Sequence, residues 1–122
     1  MKNPRITNRE RGLIKGALRR VFSRSELRQM VVEAAIVEHS DPTRPKVRRW
    51  FKCNICKLLE AKSYAIVDHI DPVIPVNTSF EDMSLDTVVD RLWCERNNLQ
   101  ALCKSCHDEK TKQERKLRKK KL

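Results

Sequence analysis

The chain has 122 residues, 39% hydrophobic and 5% aromatic, enough for one small domain with a modest core that a metal or partner commonly helps to hold. Lysine and arginine number 27 against 16 acids, a net charge of +11, so the composition points to a polyanion, with nucleic acid favoured over an anionic membrane surface. No stretch approaches the roughly 18 apolar residues of a membrane span, and "MKNPRITNRERG" has no apolar run behind its charges, which argues against a signal peptide.

A soluble, cytoplasmic protein is therefore expected. In a reducing compartment its five cysteines read as metal ligands before disulfides. The charge is uneven. Residues 1–24 carry eight basic groups and one acid, and residues 108–122 carry eight basic groups and three acids. Between them, residues 80–95 hold five acids and one arginine. Each basic run alone fits a solvated helix face or tail. Two of them around a metal site favour nucleic acid.

"TNRE" at Thr7–Glu10 fits a capping box, and Leu13, Ile14, Ala17, Leu18 and Val21 follow at helical spacing. "SRSE" at Ser23–Glu26 fits a second box, followed by Leu27, Met30, Val31, Ala34 and Ala35. The two helices are expected to form a hairpin with both stripes facing the core. His39 falls at the end of the second helix, where a cation suits the dipole, and "HSDPTRPK" at 39–46 reads as a linker. The expected division is a basic helical hairpin and linker over 1–46, then a metal-site core over 47–122.

Val47–Lys52 and Tyr64–Val67 read as short strands, and Pro72 and Pro75 end regular pairing after them. Leu85, Val88, Val89 and Leu92 recur at helical spacing behind Ser84 as N-cap. Cys94 beside that face reads as a buried small hydrophobe. A final helix is expected near Ser105, with "SCHD" as a third capping box and a mobile tail beyond it.

Cys53 and Cys56 form one C-x2-C pair, and Cys103 and Cys106 form another after 46 intervening residues. Each pair has the spacing of a zinc knuckle, and four thiolates complete a tetrahedral structural Zn2+ site. The gap is far longer than the roughly 15–20 residues of a simple four-cysteine finger, so a functional segment is expected between the halves. His107 directly follows the last cysteine and is redundant as a fifth ligand. The bland reading is a surface imidazole at a helix start. The inserted segment argues otherwise, because it holds "VDHID", with Asp68 and His69, and "NNLQALC", with two amides. A metal on one Asp and one His, beside a second His free as a base, is a hydrolytic arrangement.

In "CNIC", "DHIDPV" and "NNLQALCKSCHDEKT", spanning Cys53–Thr111, the sequence resembles HNH nucleases of the ββα-metal (His-Me finger) type in their four-cysteine zinc version. It is also similar to small phage-encoded members. The resemblance implies an α+β domain with a ββα-metal core, and a metal-dependent DNA endonuclease leaving 5′-phosphate and 3′-hydroxyl ends. It implies His69 as general base, with Asp68 and His107 holding one catalytic ion, Mg2+ or Mn2+ with Ni2+ as a substitute in vitro. Asn98 would tie the active-site loop, with Asn97 as its neighbour if the register slips by one. The family's common glycine pair after the "DHI" element is missing here. Because neighbouring strand residues face opposite ways, Asp68 and His69 can share a site only where the strand ends or twists.

Asp71 precedes Pro72 and reads as a turn residue. Arg5, Arg9, Arg11, Lys15, Arg19 and Arg20 are candidates for contacts to the DNA backbone, which would make binding strongly salt-dependent. The acidic segment should stay off the duplex or meet a protein partner, such as a phage packaging or replication component. Charge and cysteine pairs fit equally well a non-catalytic zinc-stabilised nucleic-acid-binding or packaging accessory. An RNA-directed nuclease would share the chemistry. Asp68, His69, Asn98 and His107 separate enzyme from accessory.

Overall fold

The computed structural model describes residues 3–120. The described residues form a mixed helix-and-sheet fold with four helices, two small antiparallel sheets and a four-cysteine cluster. Helix α1 (Asn8–Ser23) opens on the expected capping box: Thr7 Oγ1 accepts the Glu10 N–H at 3.1 Å and Glu10 Oε1 accepts the Thr7 N–H at 2.9 Å. Helix α2 (Glu26–Ala34) is capped two residues later than expected. Ser25, in extended backbone, accepts the Arg28 N–H at 3.1 Å, while Ser23 is still helical and donates to the Arg20 carbonyl at 2.6 Å.

Strand β1 (Ile36–Val37) follows at once and pairs with β2 (Trp50–Lys52), which pairs with β3 (Leu59–Ala61). A helical turn at Lys62–Tyr64 leads into β4 (Ile66–His69). Helix α3 (Leu85–Leu92) starts as expected, with Ser84 Oγ accepting the Thr87 N–H at 3.1 Å. A second short turn, Arg96–Asn98, delivers β5 (Leu99–Leu102), antiparallel to β4 with Asp68 opposite Gln100 and His69 opposite Leu99. Helix α4 (Lys104–Lys120) comes directly after β5. The chain order β4, β5, α4 therefore sets a two-stranded hairpin against one helix, with α3 inserted between the strands. The mobile tail expected beyond α4 lies outside the described residues.

Two cores form, and segments on both sides of residue 46 build each of them. One joins Phe22 and Val31 to Val73, Ile74, Met83, Val88, Leu92 and Leu99. The other joins Val32 to Phe51, Cys53, Ala65, Ala101 and Leu102. Adjacent Val31 and Val32 thus send α2 into both cores. Helix α1 packs on α3, and α2 packs on β4 and β5, so the helical pair is spread over the rest of the chain.

The stripe expected on α1 is buried only in part. Leu18 packs against the first core and Ile14 is half-buried, but Leu13 and Val21 are 63% and 59% exposed, and the fully buried residues of this helix are Arg11 and Phe22. The aromatic ring carries more apolar area than the smaller stripe residues, and the buried face follows it. On α2 the expected stripe is mostly kept, with Val31 buried and Leu27 and Ala35 packed on the cores, but Met30 is exposed and Val32 is buried beside Val31. His39 lies beyond β1, five residues past the end of α2, and meets the edge of Trp50 with ring centroids 4.8 Å apart.

Helix α4 begins one residue before Ser105, and "SCHD" forms no box. Asp108 instead accepts from Lys104 Nζ at 2.6 Å across one turn, and the His107 N–H bonds the Cys103 carbonyl at 3.0 Å. The last helix is thereby started by a cysteine of the metal cluster. Among the described residues no helix is long and apolar enough to cross a membrane.

Candidate active site and metal centre

The four sulfurs of Cys53, Cys56, Cys103 and Cys106 lie within 4.8 Å of one another. Tetrahedral zinc with Zn–S bonds of about 2.3 Å separates its sulfurs by about 3.8 Å. The Cys56 and Cys103 sulfurs are 3.8 Å apart. The set fits a structural metal ion, consistent with zinc. Local backbone builds the first knuckle: the Cys53 N–H bonds the Leu58 carbonyl and the Lys57 N–H bonds the Cys53 carbonyl, both at 3.0 Å. Lys57 turns the chain with a φ of 65°, a conformation that glycine favours. The Asn54 N–H bonds the Ala101 carbonyl at 3.0 Å, tying this knuckle to β5 and so to the second one.

The thiols are unequal. Burial raises Cys53, but backbone N–H groups of Cys103, Cys56 and Ile55 outweigh it and bring it down to about 6. Cys106 is pushed up to about 12 by burial and by the neighbouring thiols. Four thiolates this close repel one another, and a cation at their centre removes the conflict. Among the described residues this is the one group of three or more Cys, His, Asp or Glu side chains gathered as ligands.

A second site lies where β4 ends against α4. Asp68, His69 and His107 line one cleft of about 300 Å³. Asp68 is 8% exposed, and its Oδ2 accepts from Gln100 Nε2 at 3.0 Å, the residue directly opposite it in the hairpin. His69 is the last residue of β4, still paired with Leu99, and both it and Asp68 line this cleft.

His69 Nε2 lies 2.8 Å from the Leu92 carbonyl oxygen. A carbonyl only accepts, so Nε2 carries the proton and Nδ1 keeps its lone pair. Burial lowers the His69 pKa most; the bond to Leu92 raises it, Arg19 lowers it, the Asp68 charge raises it and Lys110 lowers it, for a net fall below the usual value. The ring is neutral at pH 7. Phe22 packs on it with centroids 5.1 Å apart, so α1 forms a wall of this site.

Asn98 sits outside the cleft and brackets the turn after β4. Its Oδ1 accepts the Asp71 N–H at 2.8 Å, its Nδ2 donates to the Asp71 carbonyl at 3.2 Å, and its own carbonyl accepts the Ile70 N–H at 2.8 Å. Asn98, and not Asn97, makes this bracket. Nδ2 also reaches Cys94 Sγ at 3.6 Å, so Cys94, half-buried against the first core, has a polar contact besides its packing. Asp71 is a turn residue as expected, paired with Arg91 at 3.0 Å, and Arg91 also donates to the Pro72 and Val73 carbonyls at 2.6 and 2.7 Å. This clamp holds the loop that lacks the glycine pair.

Asn98→Ala removes both side-chain bonds to the Asp71 backbone. It should cost about 1–3 kcal/mol of stability, read as a lowered thermal midpoint with the metal content unchanged. An unaltered melt would dismiss Asn98 as the tie.

The basic candidates separate. Arg5, Arg9 and Arg20 are exposed, and Lys15 sits 5.4 Å over the ring of Phe80. Arg19 lines the cleft. Arg11 is 4% exposed with Nη1 unpaired, so it is no surface group for a phosphate; helix α1 turns it inward on the face that carries Phe22.

Two cleft-side residues escape a reading of motifs. Lys110 follows His107 by three positions, which puts both on one face of α4, and its Nζ lies 3.2 Å from Asp68 Oδ2. Gln100 becomes a partner of Asp68 only through the β4–β5 register. Comparison with known protein families, curated proteins and solved structures found no match for this chain.

Proposed function

We propose that the chain is a metal-dependent DNA endonuclease of the HNH type, hydrolysing phosphodiester bonds with His69 as general base and zinc at its four-cysteine cluster. One observation carries the reading: Asp68, His69 and His107, drawn from a hairpin and the helix behind it, line a single cleft. His69 is neutral with Nδ1 free, so it can take a proton from water as that water attacks phosphorus. The P–O3′ bond breaks, and the leaving oxygen takes a proton from solvent. This yields the 5′-phosphate and 3′-hydroxyl ends that the resemblance implies.

Asp68 and His107 are a carboxylate and an imidazole on one cleft, a donor pair that suits Mg2+ or Mn2+ retaining water and phosphate oxygens as further ligands. Such an ion supplies charge stabilisation at the phosphate and the departing oxygen. Asn98 and Arg91 hold the loop after His69 and so keep the base oriented. Arg19 and Arg118 reach the same cleft from α1 and α4 and add positive charge for a nucleic-acid strand. A phage-encoded protein acting in the host cytoplasm fits its similarity to small phage members.

The alternative is a non-catalytic zinc-stabilised DNA-binding or packaging accessory. It draws on one observation, the Lys110 ammonium resting on Asp68. Supercoiled plasmid incubated with the protein in Mg2+ or Mn2+, against EDTA, separates the two. Nicking that needs the metal and is lost in His107→Ala, with zinc retained, is the expected outcome. Plasmid bound and left intact would favour the accessory.

A further inference from the structure

Lys110 and its partner Glu114 are charged groups at this site without a part in the chemistry above. Lys110 Nζ lies 3.2 Å from Asp68 Oδ2 and 3.1 Å from Glu114 Oε2, and it donates to the His69 carbonyl at 3.0 Å. The lysine side chain is 18% exposed, with hydrogen bonds to the His69 carbonyl and Glu114 and an ion pair to Asp68. We infer that Lys110 is a built-in counter-ion for the Asp68–Glu114 carboxylate pair, which keeps the free protein a poor ligand for its divalent ion and couples ion capture to a bound phosphodiester. The inference rests on the nuclease reading and names a regulation of that site.

The geometry limits what Asp68 can offer. Oδ2 is already taken by Gln100 Nε2 at 3.0 Å and by Lys110. Oδ1 has no donor among the described residues. A divalent ion drawn to Oδ1 meets an ammonium held on the other oxygen of the same carboxylate. At this burial the repulsion is poorly screened by salt. Arg19 and Arg118 line the same cleft as Asp68 and Glu114, and Lys110 pairs with both carboxylates from beside it, so three cations stand around two carboxylates. The balance favours an anion arriving first. A phosphodiester brings both the missing negative charge and the oxygen ligands that Mg2+ and Mn2+ prefer. Glu114 holds Lys110 in place when Asp68 is shared with an incoming ion.

The test is Mn2+ affinity of the full-length, zinc-loaded protein, measured from the EPR signal of free Mn2+ with and without a short DNA duplex. The duplex arm uses a His69→Ala background so that the DNA survives. Duplex should tighten Mn2+ binding by about tenfold or more. Lys110→Met should tighten Mn2+ binding without DNA by about tenfold or more and shrink the effect of duplex. Glu114→Gln should act in the opposite direction, because Lys110 then has Asp68 as its one carboxylate. Asp68→Asn should remove the site in every background.

A purely structural lysine would give a lower melt and weaker or equal Mn2+ binding. Equal affinity in wild type and Lys110→Met, still abolished by Asp68→Asn, would overturn the counter-ion role and leave the nuclease metal pair standing. Absence of Mn2+ binding in all variants, duplex included, would overturn both. If Lys110→Met loses its zinc or its fold, Glu114→Gln carries the test: unchanged or tighter binding there overturns the inference.

Discussion

His69→Ala should abolish metal-dependent nicking of supercoiled plasmid while leaving fold, zinc content and DNA binding in place. A positioned general base contributes about 10²–10⁴-fold to such a rate, and the loss should fall in that range. The geometry makes the variant selective. His69 gives one hydrogen bond, to the Leu92 carbonyl, and one ring contact, to Phe22, so its removal costs about 1–2 kcal/mol. It supplies no ligand to the cysteine cluster and no positive charge at pH 7, so binding to the DNA backbone has no reason to change. Gel shift and a thermal melt would be run beside the plasmid assay. Equal activity of the variant and wild type would mean that another group is the base, or that the activity is a contaminant's. Equal inactivity of both, with plasmid still bound, would move the reading to the accessory.

What could be read in advance divides along physical lines. Thr7 and Ser84 were legible as caps because an N-cap is decided by residues within one turn. Ser23 and Ser25 compete for the same role two residues apart, and only the length of α1 selects between them. The cysteine pairs were legible because a knuckle is a local device whose spacing carries its geometry. That Asn98 ties a loop was an implication of the family resemblance; the bonds it makes, with Ile70 and Asp71, reach across from the far side of the hairpin.

The packing of α1 was legible only in part. Of its stripe, Leu18 packs against the first core and Ile14 is half-buried, but Leu13, Ala17 and Val21 stay exposed and the fully buried residues are Arg11 and Phe22, because Phe22 finds His69 and Trp93 as ring partners. That choice depends on residues some fifty to seventy positions away in the chain. It also makes the N-terminal helix part of the candidate active site, although the motifs begin only at Cys53. Lys110 was hidden for a related reason: an isolated lysine in a basic helix looks like solvated charge. The β4–α4 contact that makes it a partner of Asp68 is tertiary.

Cys53→Ser should lose the bound zinc and the cooperative melt together. Cys53 is fully buried and belongs to the second core, and Cys103 and Cys106 pack against that same core. The cluster also joins the loop after β2 to the start of α4, with 46 residues between Cys56 and Cys103. Closing so long a loop by a metal removes much of the unfolded chain's freedom, and a structural zinc contributes on the order of 10 kcal/mol of folding energy. That exceeds half of the 5–15 kcal/mol (roughly) by which domains are stable, so the variant should be largely unfolded at 25 °C. Cys94→Ser is the control: Cys94 lies outside the cluster and contacts only Asn98 among polar groups, so zinc should be kept and the melt lowered by about 1 kcal/mol. The two readouts must move together in the first variant and stay in the second. Full zinc with an unchanged melt in Cys53→Ser would refute the structural role of the cluster, and the ordered start of α4 that carries His107 into the cleft would then need another cause.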